Sequence, residues 1–289
     1  MARPASHPVT GRVVLVTGAA RGIGAATARE LHARGARLSL VGLEPERLAA
    51  LAEELGRDAA WFEADVTDPQ ALRAAVDGTV ERFGGIDVVL ANAGVAPVGT
   101  VTTLDDAAWE RTIEVNLLGV YRTIRATLPH VIERRGYVLP IASLAAALHA
   151  PLMSSYAASK AGVEALANAL RAELAPKGVA VGCAYFSYID TDMVREAHAH
   201  PATQKAGLFG GVAPLSAAVA ALADAIERRA RRACAPRWVG PVLWARGVVN
   251  PLVGIVAARR GDVRRAVEIA EANPQAPGSG PLSPARRAG

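Results

Sequence analysis

The chain has 289 residues, of which 51% are hydrophobic and 20% charged, enough for one large α/β domain and too apolar for disorder over most of its length. Its net charge of +5 comes almost wholly from scattered arginines, with lysine only at Lys160, Lys177 and Lys205, so no basic face for nucleic acid is built. Cys183 and Cys234 lie in apolar runs without metal-ligand spacing, as buried thiols in a reducing, cytoplasmic compartment would, and no metal site is expected.

Residues 1–10 contain two prolines and no apolar core of signal-peptide length, and are expected to be flexible. Val13–Val16 is a short β-branched run, the pattern of a strand buried on both faces. It leads into Thr17-Gly18-Ala19-Ala20-Arg21-Gly22-Ile23-Gly24 and an alanine-rich helix ending near Gly35. A strand over Arg37–Val41, a helix over Pro45–Leu55 with proline at its first position, and a strand over Ala59–Ala64 follow. Next come a helix over Pro69–Phe83, a strand over Ile86–Ala91, and a long helix over Asp106–Arg134 that Pro129 is placed to bend. A strand over Tyr137–Ala142 delivers Ser143, and a helix runs from Tyr156 to Leu174. A strand over Val179–Ala184, an irregular stretch to about Pro214, a helix over Leu215–Arg231 and a strand over Ala233–Val239 complete the pattern. The run Arg228-Arg229-Ala230-Arg231-Arg232 reads as a solvated helix end. Trp238–Ala258 is apolar but interrupted by Pro241, Arg246 and Pro251, so no membrane span is expected. From residue 273 to residue 289 the composition is that of a disordered tail.

Strands alternating with helices predict a parallel sheet covered on both faces, in one domain over 11–272 with an apolar extension from about 236. The chemistry gathers on three stretches. Tyr156 and Lys160 are four apart on a helix, hence on one face, where a cation favours the phenolate and lowers a pKa otherwise near 10. Such a tyrosine exchanges a proton with a substrate oxygen near neutral pH. Gly18, Gly22 and Gly24 between a strand and a helix suit a dinucleotide: a tight turn, a close backbone approach to pyrophosphate, and close packing, with the helix N-terminus facing the anion. A βα turn that only needs small residues is the duller reading. Gly42 stands where an acid would bind a ribose 2′-hydroxyl, and Arg21 is placed to pair a 2′-phosphate, which favours NADP over NAD. Glu44, just before Pro45, is more simply a helix cap. Asn116 sits mid-helix among apolar neighbours and needs a partner, whether structural or catalytic.

Thr-Gly-x3-Gly-x-Gly at Thr17–Gly24, Asn-Ala-Gly at Asn92–Gly94, Asn116, Ser143 and Tyr-x3-Lys at Tyr156 and Lys160 occur in that order. Together they resemble the short-chain dehydrogenase/reductase family, over roughly Gly11 to Ala235. The resemblance implies a single Rossmann-type doubly wound sheet and NAD(P)-dependent interconversion of an alcohol and a ketone. It makes Tyr156 the acid/base, with Lys160 lowering its pKa and holding the nicotinamide ribose. It makes Ser143 a hydrogen-bond partner of the substrate oxygen, and gives Asn116 a water that links Lys160 to solvent. It further implies cofactor contacts from Gly18, Arg21, Gly22, Ile23, Gly24, Asp65, Val66, Asn92, Gly94, Ile189 and Thr191, and leaves Thr17 and Asp87 structural.

Two regions depart from the family pattern. Phe186-Ser187 stands where Pro-Gly is usual, and of four Phe and five Tyr in the chain, Tyr185, Phe186 and Tyr188 cluster here. They read either as an aromatic wall against nicotinamide or substrate, or as packing at a strand end. His198 and His200 are expected in a solvent-facing loop. The extension carrying Trp238 and Trp244 fits a substrate-side lid, an oligomer contact or a peripheral membrane patch equally. The function expected is oxidoreduction of an apolar alcohol or ketone by a homodimer or homotetramer. A dinucleotide-binding regulator without turnover is the alternative, and a sugar epimerase or dehydratase on a related fold a third.

Overall fold

β1 (Val13–Thr17) is buried at every position. It lies at the centre of the sheet in the computed structural model, which describes residues 6–206 and 211–272. On either side come β2 (Arg37–Gly42), β3 (Ala59–Glu63), β4 (Val88–Ala91), β5 (Tyr137–Pro140) and β6 (Ala180–Val181), in the order β3-β2-β1-β4-β5-β6, all parallel. Side chains alternate across the sheet as a period of two requires. Val14, Val16, Leu38, Leu40 and Leu90 enter one core, and Leu15, Val41, Val89 and Val138 the other. The first core is closed by α1 (Gly22–Ala33), α2 (Pro45–Leu55) and, later in the chain, α9 (Leu215–Arg228). The second is closed by α3 (Pro69–Phe83), α5 (Gly119–Glu133) and α6 (Ser154–Leu174). This is the expected doubly wound sheet with helices on both faces.

Four local expectations need correction. The helix expected over Asp106–Arg134 is α4 (Asp106–Ile113) and α5 joined by a π-helical turn, Glu114–Leu118, that carries Asn116. The strand expected over Val179–Ala184 breaks into β6 and β7 (Ala184–Phe186), because it changes partner midway. Gly182 N still donates to Val138 O in the main sheet, whereas Cys183 N donates to Arg231 O beside β8 (Ala233–Ala235), which pairs with β7. At the crossing the Tyr137 hydroxyl donates to Ala230 O at 2.7 Å, and a Cβ on Gly182 would lie 2.1 Å from that hydroxyl. The stretch expected to be irregular contains α7 (Asp192–Ala199) and α8 (Pro201–Ala206). His198 and His200 therefore lie on α7 and at its end, partly buried, and not in a solvent-facing loop.

The N-terminal packing begins before Gly11: Val9 is buried in the first core, and His7 N donates to Glu227 O at 2.7 Å. Beyond β8, the apolar run forms one helix, α10 (Val239–Arg259), with Pro251 inside it, and α11 (Gly261–Ala272) follows. Val239 and Leu243 join the second core, while Ala266 and Ala270 of α11 pack with Ala202 of α8, Val98 and Leu152 as a separate small core. The tail expected over 273–289 lies outside the described residues, as do residues 1–5.

Candidate active site

The glycine turn opens the first of two clefts. Gly18 and Gly22 have positive φ, +65° and +57°, which a side chain would resist. A Cβ on Gly18 would lie 2.9 Å from Ala93 Cα, and one on Gly24 would lie 2.3 Å from Gly18 O, so both are held small by the turn itself. A Cβ on Gly22 would meet only Thr191, at 3.7 Å, leaving its backbone open to the cleft. Arg21 takes the N-cap position of α1 without a side-chain cap, so the first-turn N–H groups remain available to an anion. Asn92 holds this turn from below: its amide nitrogen donates to Thr17 O and Gly18 O at 3.0 and 3.1 Å. Thr17 accepts from the Asn92 and Ala93 backbones, and Asp87 receives Arg12 and Val13 N, both architectural duties.

Arg21, Gly22, Ile23, Asp65, Val66, Asn92, Gly94, Ile189 and Thr191 all line this cleft, and Gly24 lies just behind it. Burial disfavours ionisation of Asp65, but hydrogen bonds from Arg111 at 2.8 Å and from Thr67 outweigh it and hold the carboxyl below its usual range. At the far rim the expected roles shift. Glu44 makes no side-chain cap; its carboxylate pairs with Arg21 at 3.0 Å and Arg47 at 3.2 Å. The arginine expected to meet a 2′-phosphate is thus already engaged. The glycines, the uncapped helix end and the clasped aspartate fit a dinucleotide.

Asn116, Ser143, Tyr156 and Lys160 converge where the cleft ends. The π turn points Asn116 at the strand-end loop: its Oδ1 accepts from Val95 N at 2.8 Å, and its Nδ2 donates to Val95 O at 2.9 Å and Ser159 Oγ at 3.2 Å. π turns recur at functional sites because they re-aim single side chains. Lys160 is buried, donates to Ile141 O at 2.8 Å, and holds its nitrogen 5.6 Å from the Tyr156 ring centre. Burial lowers its pKa to about 8. The Tyr156 phenol is raised, not lowered: burial dominates and the hydrogen bond with Ser143 works against it.

Ser143, Tyr156, Phe186 and Ser187 also line a second cleft, so the two meet at the serine and the tyrosine. Its walls are chiefly aliphatic: Leu144, Leu148, Leu152 and Met193, with Val253, Ala257 and Val263 from α10 and the start of α11. The aromatic cluster divides. Phe186 and Tyr188 face the cleft, whereas Tyr185 turns to the second core and donates to Glu164 at 3.0 Å. Ser187 Oγ and His198 Nε2 are buried beside this cleft with no hydrogen-bond partner among the described residues, and His198 packs edge-on against Tyr188. Arg111, Met193 and the residues of α10 and α11 carry no local signal in the sequence, since only the fold brings them to the clefts.

A parallel 3-2-1-4-5-6 sheet with a glycine-turn cleft and a Ser-Tyr-Lys cluster at its end defines a dinucleotide-fold oxidoreductase. The sequence pattern described as short chain dehydrogenase matches residues 12–202, and the chain belongs to that family. It is 38% identical over 187 residues to cis-4-hydroxycyclohexanecarboxylate dehydrogenase of Sinomonas cyclohexanicum, covering 63% of this chain and 75% of that one. It is 32% identical over 220 residues to a 3-oxoacyl-(acyl-carrier-protein) reductase of Escherichia coli strain K12, covering 74% and 90%. The structure of a 3-ketoacyl-(acyl-carrier-protein) reductase from Brucella melitensis complexed with NADH superposes with a TM-score of 0.70 at 24% identity, covering 79% and 99%.

Proposed function

We propose that this oxidoreductase interconverts a secondary alcohol and a ketone on an apolar molecule, with NAD(P) in the first cleft and substrate in the second. The observation that carries this is the placement of Ser143 and Tyr156 on the wall common to both clefts, where a reacting carbon must sit. Bound in the first cleft, the nicotinamide supplies or accepts the hydride. The protein handles the oxygen. Kept protonated by burial, Tyr156 is ready to donate to a ketone oxygen, and the Ser143 hydroxyl supplies a second hydrogen bond to that oxygen. Lys160 spends one of its three N–H bonds on Ile141 O, which leaves two for a ribose hydroxyl and for relaying a proton. Asn116 holds the Val95 backbone against this cluster.

The rim of the first cleft favours NADP. Gly42 offers no carboxylate, and Arg21 and Arg47 converge on Glu44, leaving a net positive group of three. A 2′-phosphate takes these arginines over from Glu44. The second cleft gives the substrate's character, because its walls are mostly aliphatic. The test is fluorescence titration with NADPH and NADH, then turnover on a panel of cyclic and long-chain ketones. NADPH is expected to bind more tightly, with turnover lost in Tyr156→Phe while binding persists. No binding of either nucleotide sinks the enzyme reading. Binding without turnover on any ketone or alcohol favours a dinucleotide-binding regulator.

A further inference from the structure

α10 is apolar on every side, and helices of that kind sit in a protein core or in lipid. Among the described residues it is the one helix long and apolar enough to cross a membrane, yet only 11% of the stretch Val239–Ala257 is buried. Its inner side is accounted for: Val239 and Leu243 enter the core, Arg246 pairs with Glu164 at 2.6 Å, and Val253 and Ala257 line the second cleft. Among the described residues, nothing covers the outer side in this way. Trp244 is 86% exposed, Val248 68%, and Leu252, Ile255 and Val256 each at least half. At about 100° per residue these five share roughly one third of the helix circumference, so they form a single stripe.

Charge selects what covers the stripe. From Arg228 to Gly261 the sequence has eight arginines and no aspartate or glutamate. Exposed Arg237 and Arg259 bracket the stripe. We infer that α10 docks the protein onto an anionic phospholipid surface. Trp244 and the aliphatic stripe enter the interfacial layer, and the bracketing arginines meet headgroup phosphates. The inner face is committed to protein, and Pro241, Arg246 and Pro251 interrupt the apolar run, so the helix lies on the bilayer and does not cross it. A second copy of the chain is the competing occupant. A two-fold contact along this helix opposes arginine to arginine at both ends, whichever way the helices run. The same helix walls the second cleft, so docking brings the mouth of that cleft to the lipid.

Flotation of the full chain tests this, using vesicles of phosphatidylcholine alone and of phosphatidylcholine with phosphatidylglycerol. Expected is binding to the anionic vesicles only, weakened several-fold by high salt because the attraction is screened. Trp244→Glu with Val248→Glu is expected to reduce binding about tenfold or more with an unchanged circular dichroism spectrum. Arg237→Glu with Arg259→Glu, which leaves the apolar stripe intact, is expected to reduce it too. Equal binding to both vesicle types, or none to either, overturns the proposal. So does conversion of a dimer to a monomer by Trp244→Glu with Val248→Glu in light scattering without loss of any vesicle binding. The readout is binding and not turnover, so its failure is distinguishable from failure of the proposed reaction.

Discussion

Burial holds Lys160 at a pKa of about 8, against 10.5 for a free lysine. The unfolded chain therefore keeps a proton that the native chain has lost between those two values. Stability rises with pH wherever the unfolded state binds more protons, so Lys160 contributes increasing stability from about pH 8 to about 10.5. Below pH 8 both states are protonated and the desolvation penalty stands in full. Cys183, raised to about 11 by burial, and Tyr156, raised likewise, act with the opposite sign above about pH 9. Cys183 is coupled to Lys160, so the lysine's own contribution is read below about pH 9, where the thiol is protonated in both states. Without cofactor, Lys160→Met is expected to be more stable than wild type at pH 7, with the advantage shrinking above pH 8. Thermal melts from pH 7 to pH 10 measure this, and a pH-independent difference refutes the burial argument. At the other end of the cleft, Glu44→Gln removes the carboxylate that competes with a 2′-phosphate for Arg21 and Arg47. A half-exposed charge is worth roughly 1 kcal/mol, so NADPH affinity is expected to rise about fivefold with NADH affinity nearly unchanged. Equal changes for both nucleotides would place the 2′-position elsewhere.

One element between residue and fold matters most: the π turn between α4 and α5. The hydrophobic spacing over 106–134 reads as one continuous helix, since a π turn inserts a single residue's slack and leaves no periodic mark. Its cause is tertiary. Gly119 lets Val66 pack so closely that a Cβ would approach it to 2.6 Å, and Asn116 is turned to clamp both polar groups of Val95. The Tyr156–Lys160 spacing and the glycine turn were legible because each is set by local geometry, a helix period and a βα turn. Asn116 was legible only as an amide needing partners. Arg111 was not legible, because long-range packing and not spacing sets it beside Asp65. Asn116→Leu keeps the volume but orphans the Val95 N–H and C=O, at a cost of about 1–3 kcal/mol for each buried group. It is expected to lower the melting temperature and to slow turnover more than it weakens nucleotide binding. Asn116→Asp retains the acceptor for Val95 N and is expected to recover part of the stability. Equal loss in both variants would mean that the amide's acceptor does not hold the turn.

At the scale of the molecule, the described residues of the first cleft all precede α10, whereas α10 and α11 complete the wall of the second. No residue of α10 or α11 lines the first cleft, whereas Val253, Ala257, Arg260 and Val263 line the second. The extension is fastened by Val239 and Leu243 in the second core, by the Arg246–Glu164 pair against α6, and by the small core of Ala266 and Ala270 with Ala202, Val98 and Leu152. This small core is separate from the two that cover the sheet, so it can open without unfolding them. A carboxylate placed there has no partner, and its desolvation costs more than the few apolar contacts of α11 supply. Ala270→Asp is therefore expected to detach α11, not to unfold the domain. KM for an apolar ketone should rise about tenfold as Val263 and Arg260 leave the wall, while the NADPH dissociation constant moves less than twofold. Hydrogen exchange should show lost protection confined to α8, α11 and the Val98 and Leu152 loops. Loss of nucleotide binding in this variant would mean that the two clefts fold as one unit and that the extension supports the whole site, not just its substrate wall.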